Sequence, residues 1–535
     1  MKGRILILGA GLMQRPAISI AKEMGLEAVV VDGDPQAVCV PLADRFEKID
    51  LKDKDALEAF ARSLQNDGGL SAVMTAGTDF SASVAWVAER LGLPGIPYET
   101  ALNASDKERM RRRFKEAGVP SPEFYIVHRS DVVKDALPKL PFSFPVVVKP
   151  VDNMGARGCR RVDSEAELRT ALTDALAFSR SGRAIVEEFM DGPEFSVDAI
   201  VYQGEIIICG LADRHIYFPP YFIEMGHTMP TNLPKKQAEW LLSVFKDGVR
   251  ALGITNGAAK GDVKLTPQGP MIGEIAARLS GGYMSGWTYP YASGVEPTRA
   301  AISVALGEEP KNLEPLRNWT SAERAFISIP GQVAEIYGLE EAGQIPGVKD
   351  IFPRIGKGSR VQFPENNVTK CGNVISLLPD REEAIHAAEE AARSIWIRLA
   401  APNPETAAFL YPDLYGEESI FPPSAFVLSP ELKQGLLRKP EMAPRYEQVL
   451  SGHIGLLPFP EFLEAPLRDY HGRRPKDSLS ILRTITGLEL PILNTPSLDW
   501  AILDRRFWQA FVRGSYQGAL YHIDELMSQA VERNR

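Results

Sequence analysis

Cysteine is scarce, and its scarcity removes two architectures at once. Cys39, Cys159, Cys209 and Cys371 are scattered through 535 residues with no close pair, which argues against both a disulfide framework and a zinc cluster. No uninterrupted apolar run approaches the ~20 residues that span a bilayer. The opening stretch MKGRILILGAG lacks the long apolar segment and cleavage site of a secretory signal. Positive charge is also in deficit: the formal net charge is −9, and an acidic surface repels phosphate backbones and anionic lipid. Internal repeats and low-complexity tracts are absent. The expectation is a cytoplasmic protein with small-molecule partners, no nucleic-acid or membrane partner, and a homodimer as a compatible assembly. A local basic pocket can still hold a small anion against the global sign.

What is present is ordinary globular composition, 44% hydrophobic and 24% charged, in a chain too long for one compact core. Residues 4–8 (RILIL) form a short buried-strand pattern, followed by a Gly-rich turn and a helical pattern through Ala17, Ile18, Ala21 and Met24. Strands at 28–31 and 72–75 and a helix over 80–91 continue an alternation that predicts a parallel, doubly wound sheet. A basic helix over 105–117 opens a second unit, with Ser105 as the expected N-cap. Strand patterns follow at 124–127, 145–149, 158–162, 184–189, 195–202 and 205–209, then a helix near 236–252 and strands around 258–265 and 270–275. Residues 213–228 are expected to be loop-like. Short strands over 323–378 and an amphipathic helix over 380–398 come next. The tail regains helical spacing at 499–531, through Leu503, Phe507, Phe511, Leu520 and Ile523.

Four segments carry chemistry. Gly9-Ala10-Gly11 begins like a dinucleotide fingerprint with Asp32 downstream, but Gln14 replaces the third glycine. A tight turn feeding a helix end is the favoured alternative, and that end, with Thr78 and Asp79, suits a polar or anionic substrate group. In PVVVKPVDNMGARG, three valines set a buried strand ending at Lys149. The loop from Asp152 to Gly158, with Gly155 and Gly158, can turn backbone N–H groups onto phosphate oxygens; a plain hairpin with a snorkelling lysine would read the same way. AIVEEFMDGPEFSVD brings Glu187, Glu188 and Glu194 together, or else is the solvated face of a hairpin. In AAKGDVKLTPQGPMIGEIAARLSGG, Asp262 and Glu274 can lie side by side across a turn, a pairing that suits Mg²⁺ chelated with phosphates. Arg278 follows as a stabiliser of developing charge, and Gly281-Gly282 permits close backbone approach.

In order and spacing these segments resemble the ATP-grasp superfamily across roughly residues 1–400. The resemblance implies Lys107 and Lys149 on ATP phosphates, the 152–158 loop over the terminal phosphate, Glu187-Glu188-Phe189-Met190 at the adenine hinge and Glu194 on the ribose. It implies Asp262 and Glu274 on Mg²⁺, with Mn²⁺ an admissible substitute, and Arg278 as the catalytic arginine. Ala276 stands where an asparagine is common. The implied organisation is α/β and α+β: a Rossmann-like pre-ATP-grasp domain (1–104), an ATP-grasp domain (105–312, lid about 122–188), a biotin-carboxylase-like sandwich (313–402) and a mostly helical extension (403–535).

The implied activity is an ATP-dependent ligase that activates a small carboxylate as an acyl phosphate and passes it to an amine. The start GAGLMQRPAI and the later EIAARLSGG are most similar to carboxylate–amine ligases related to L-amino-acid ligases and to 5-(carboxyamino)imidazole ribonucleotide synthase. Alternatives are a carboxylase or formyltransferase of a phosphoribosyl nucleotide, for which only Arg15 is a suggestive cation, and an inactive nucleotide-binding regulator. Gly11, Thr78, Asp79, Glu224, His227, Gly281 and Gly282 are the expected substrate contacts. Arg214 and His215 lie in the same acceptor-facing segment, and Tyr283, Trp287 and Tyr289 offer a substrate wall or aromatic core.

Overall fold

The computed structural model describes residues 3–133, 139–412, 421–437, 460–487 and 505–533. They divide into two units, Met1–Glu323 with Ser376–Ile385, and Arg324–Ile375 with His386–Arg535.

The first unit opens with strands β1 (Arg4–Leu8), β2 (Glu27–Asp32), β3 (Arg45–Lys48) and β4 (Ala72–Met74), a four-stranded sheet in the order β3-β2-β1-β4. Pairing is parallel throughout. The uniform apolar runs of β1 and β2 are what a sheet covered on both faces requires; Ile5 to Leu8 are wholly buried, each worth about 1.5–3 kcal/mol. Charged, exposed β3 sits at an edge, which is why no apolar pattern announces it. Gln14 explains the altered glycine turn. It is completely buried, its amide nitrogen donates to the Ala76 carbonyl and its oxygen accepts from Ala76 N at 2.9 Å. Asp32 accepts from Ala10 N at 2.7 Å. Gln14 thus ties the turn to the tip of β4, and Asp32 ties it to the end of β2.

Helix Lys107–Ala117 follows. Its cap is Asp106, whose carboxylate accepts from Arg109 N at 3.1 Å, and not Ser105, whose hydroxyl donates to Ala101 O. One carboxylate oxygen of Asp106 caps the helix while the other pairs with Arg183, whereas the Ser105 hydroxyl is already used one turn back. Strands β5 (Phe124–His128), β6 (Val146–Pro150), β7 (Arg160–Val162) and β8 (Arg183–Glu188) make a second sheet, β5-β8-β6-β7, all antiparallel. Helix Glu165–Phe178 covers it with Leu168, Ala171, Leu172, Ala175 and Leu176.

The central sheet runs β13-β12-β9-β10-β11 and on to β14. Its strands are β9 (Glu194–Tyr202), β10 (Glu205–Tyr217), β11 (Ile223–Met229), β12 (Gly257–Thr266), β13 (Gly269–Ala276) and β14 (Thr320–Phe326). The loop expected over 213–228 is instead a hairpin: β10 extends to Tyr217 and β11 begins at Ile223, with a bulge between His215 and Ile216. Arg214, Glu224 and His227 break the apolar alternation because they line a site on the sheet, and that hid the strands. Helix Lys235–Leu252 packs Leu241, Phe245 and Val249 beneath β12 and β13.

The second unit contains β15 (Gly331–Tyr337), β16 (Val348–Pro353), β17 (Arg360–Val361), most of β18 (Gly372–Leu378) and β19 (Trp396–Leu399), with β17-β15-β19 forming a small sheet. The helix expected over 380–398 ends at Ser394, since Trp396 to Leu399 pair with β15 as a strand. Helix Arg505–Arg533 accounts for the tail pattern but breaks at Ser515 (φ 54°, ψ −145°). Phe507, Phe511, Leu520 and Ile523 all lie in its core, while Leu503 falls outside the described residues. Among the described residues no helix is long and apolar enough to cross a membrane.

Candidate active site

Two charge clusters of opposite composition lie within the first unit. The first is built on β6, β8 and helix Lys107–Ala117. Lys107 and Arg111 are one turn apart, so they share the helix face that also buries Met110 and Phe114. Glu187 on β8, 1% exposed, accepts from Arg111 Nε at 2.9 Å and pairs with Lys149 Nζ at 2.5 Å. Burial pushes the Glu187 carboxyl up, but Arg111 and Lys149 together bring it down to about 2. Burial likewise pulls the Lys149 ammonium down, yet Glu187 beside it holds it above the ordinary lysine range. Arg111 Nη2 donates to Gly273 O at 2.5 Å, and Lys107 Nζ donates to Asn153 O at 2.7 Å and lies 3.6 Å from Glu274.

The loop after β6 has the backbone of an anion nest: Gly155, Ala156 and Gly158 all take positive φ, 67°, 60° and 67°. A Cβ on Gly158 would lie 2.8 Å from Phe178, so glycine is demanded there by space as well as conformation. Asp152 does not point into the loop. It accepts from Ser179 Oγ, Arg180 N and Ser181 N at 3.0, 3.1 and 2.7 Å, and so anchors the loop's base.

The hinge segment leaves β8 with Glu188 exposed. Phe189 is flanked by Arg161 and Lys264 at 4.6 and 5.2 Å, and Met190 O accepts from Lys264 at 3.2 Å. Glu194 pairs with Arg214 and lies 3.8 Å from Lys264.

The second cluster lies on the central sheet. Asp262 and Glu274 are cross-strand partners in the β12–β13 register. Asp262 accepts from Ser196 Oγ at 2.9 Å, pairs with Lys260, and stands 3.1 Å from Arg214. Burial raises its carboxyl, but Arg214 and Lys260 hold it below the usual carboxylate range. Arg214 bridges three acids, Glu194, Asp262 and Glu224, the last at 2.9 Å. Beyond it, His227 and Gly282 adjoin Glu224: His227 Nε2 is 3.6 Å from Glu224 Oε2, and a Cβ on Gly282 would come within 2.9 Å of Glu224 Oε1.

The tip of β4 closes this end. Ala76 bridges Leu279, Gly77 N donates to Leu279 O, and a Cβ on Gly281 would meet Gly77 O at 3.2 Å. Burial raises the half-buried Asp79 carboxyl, with Arg278 the strongest opposing charge and Lys107 next. Thr78 shares a hydroxyl contact of 2.7 Å with Thr75, while Gly11 and Arg15 are exposed. Tyr289 is wholly buried, bonding Ser196 O at 3.2 Å, and Tyr283 packs edge-on to Trp287; both tyrosines belong to the core.

Four residues carry the site's charge balance without having been singled out in the sequence. Arg111 is a cation on a helix face that also buries Met110 and Phe114, and Lys260 stands beside Asp262 on the charged face of β12. Asp198 takes the hydroxyls of Ser280 and Ser285, holding the Gly281-Gly282 loop. Glu323 lies wholly buried on β14 against His227. A lone charge inside an apolar strand was the available signal for the last two.

The donor set fits a polyphosphate with a divalent cation. Arg111 Nη1, Arg157 Nε, Arg160 Nε and Arg278 Nε are buried without hydrogen-bond partners among the described residues, and buried donors of that kind call for an anion. Protein cations stand on Asp262 and Glu274, and a pair of hard oxygen donors of this kind suits a divalent cation such as Mg²⁺.

Three family models match in chain order: an ATP-grasp N-terminal domain at residues 18–95, an ATP-grasp domain at 142–286 and the L-amino acid ligase C-terminal domain 2 at 325–400. The chain thus carries the N-terminal and core domains of ATP-grasp enzymes, which use ATP and Mg²⁺. Among solved structures it is similar to an L-amino acid ligase from Bacillus licheniformis (TM-score 0.65, 23% identity, 75% of this chain and 99% of that one). An N5-carboxyaminoimidazole ribonucleotide synthetase from Thermotoga maritima also shares the fold (TM-score 0.56, 20% identity, 74% and 100%). An uncharacterised protein of Sinorhizobium fredii is 26% identical over 401 residues, 74% of this chain and 82% of that protein. Carnosine synthase 1 of Gallus gallus is 26% identical over 329 residues, 57% of this chain but only 35% of that enzyme.

Proposed function

We propose that this enzyme activates a small carboxylate, an amino acid or a close relative, as an acyl phosphate and couples it to an amine, releasing ADP and phosphate. The observation that carries the proposal is the continuous run of groups from the Lys149–Glu187–Arg111 cluster, through Asp262 and Glu274, to Arg214, Glu224, His227 and Gly282. One end suits a polyphosphate and the other a small zwitterion.

Lys107, Lys149 and the 152–158 loop hold the phosphates, and Asp262 with Glu274 hold the metal, which supplies charge neutralisation on the phosphates. Arg278, kept near Asp79, pairs with the substrate carboxylate and with charge that develops as the acyl group is attacked. Fixing both reactants against the Gly281-Gly282 backbone removes much of the entropic barrier. The domain limits given above, with a lid over about 122–188, belong to the same proposal. Likeness to an L-amino acid ligase and to carnosine synthase favours an amino acid as the carboxylate.

The test is a phosphate-release screen of carboxylate and amine pairs with Mg-ATP, followed by mass spectrometry. A product at the summed mass of both partners less water is expected. ADP formation without any condensed product would overturn the carbon–nitrogen coupling.

A further inference from the structure

The buried carboxylates of Asp198 and Glu323 lie outside the groups assigned above to nucleotide or metal, and of the two Glu323 engages an imidazole. Glu323 on β14 is 0% exposed, and its Oε2 lies 2.6 Å from Nδ1 of His227, itself 1% exposed. With Glu323 ionised, Nδ1 must donate, so the ring's other nitrogen, Nε2, is the basic one. That nitrogen faces Glu224 Oε2 at 3.6 Å. A Cβ on Gly282 would lie 3.6 Å from His227 Cε1, so the ring edge borders the glycine loop where the substrate backbone approach is expected. Arg214, opposite His227 in the β10–β11 register, holds Glu224 in place at 2.9–3.0 Å.

Donor atoms of Glu224, His227 and Glu323 lie within 4.8 Å of one another, a spacing that also invites a metal ion. Two commitments argue against it. Nδ1 is engaged with Glu323 at hydrogen-bond length, and Glu224 Oε2 already accepts from a guanidinium. A carboxylate–imidazole pair whose second nitrogen faces Glu224 beside the Gly282 loop is instead the arrangement of a general base.

We infer that His227 and Glu323 form the proton-accepting pair of the amine step, with His227 the base and Glu323 its positioning residue; this rests on the ligase activity proposed above. An amino-acid amine is an ammonium ion at neutral pH and has no lone pair to give. One of its protons passes to His227 Nε2, and the imidazolium is stabilised by Glu323 at Nδ1 and Glu224 on the other side. The freed nitrogen pair forms the N–C bond. The C–O bond to phosphate breaks, and phosphate leaves with that electron pair, taking up the second amine proton.

The experiment supplies Mg-ATP and a mixture of the protein amino acids to wild type, Glu323→Gln and His227→Asn, and measures condensed amide by mass spectrometry. A parallel arm adds hydroxylamine and measures hydroxamate. Hydroxylamine is uncharged at neutral pH and attacks an acyl phosphate without a base. Both variants are expected to lose amide formation by about a hundredfold or more, while hydroxamate formation by Glu323→Gln stays within about threefold of wild type. Glu323→Gln preserves volume and an acceptor, and its thermal transition checks that it folds. Equal loss of amide and hydroxamate, or loss of neither, overturns the pair. Wild type making neither product overturns the ligase activity itself, and the pair with it.

Discussion

The two charge clusters of the first unit are mirror images in sign. On the β6–β8 side one glutamate, Glu187, sits among cations led by Arg111 and Lys149; on the central sheet one guanidinium, Arg214, sits among Glu194, Asp262 and Glu224. Each cluster is internally neutralised, which keeps buried charge tolerable, yet each carries a surplus that a ligand of the opposite sign can take up. The surplus is cationic where phosphates are expected and anionic where a metal and an ammonium are expected. Pre-arranged charge needs no reorganisation when the reaction begins.

The comparison is broken most severely at its central residues. Glu187→Ala strands Arg111 and should cost about 3–5 kcal/mol of stability, read from the urea midpoint of the first unit's transition. Arg214→Ala should be comparably damaging. The two variants should separate in rescue: inorganic pyrophosphate raises the thermal transition of Glu187→Ala, and Mg²⁺ that of Arg214→Ala. Rescue of both by the same ion would erase the distinction.

Lys149→Ala should weaken ATP binding by about a hundredfold or more, measured calorimetrically. Glu274→Ala should leave nucleotide affinity nearly intact and slow ADP release by about a hundredfold. Acid titration sharpens the contrast further. Because the folded Glu187 carboxyl is depressed to about 2 from an ordinary 4.5, its contribution is complete above pH 4.5 and disappears as pH falls toward 2. Glu187→Gln should flatten that part of the stability profile. The smallest effect belongs to the cap: Asp106→Ala should cost about 1 kcal/mol, and Ser105→Ala less.

Much of this was legible in residue order, but for different reasons in different places. Strands β1, β2 and β6 declare themselves because both faces are buried, so apolar runs are continuous. The Asp262–Glu274 pairing could be read only approximately: the turn between β12 and β13 sets them on adjacent strands, and a bulge between Asp262 and Val263 brings them opposite one another. The β10–β11 hairpin could not, since Arg214, Glu224 and His227 replace the apolar alternation that marks a strand. Arg111 was hidden for a related reason: a basic helix surface looks solvated until its partner, Glu187, arrives from 76 residues away. Glu323 needed the fold for the same reason, since nothing near it in sequence hints at His227. The chemistry-bearing positions are those where local pattern and final environment disagree.

The backbone contact between Gly77 and Gly281 carries a mechanical implication. With no side chain separating them, the tip of the N-terminal sheet and the loop after β13 behave as a welded joint rather than a hinge. An alanine at 281 would act as a shim, prying the loop after β13 away from Gly77 while leaving Lys107 and Lys149 where they are.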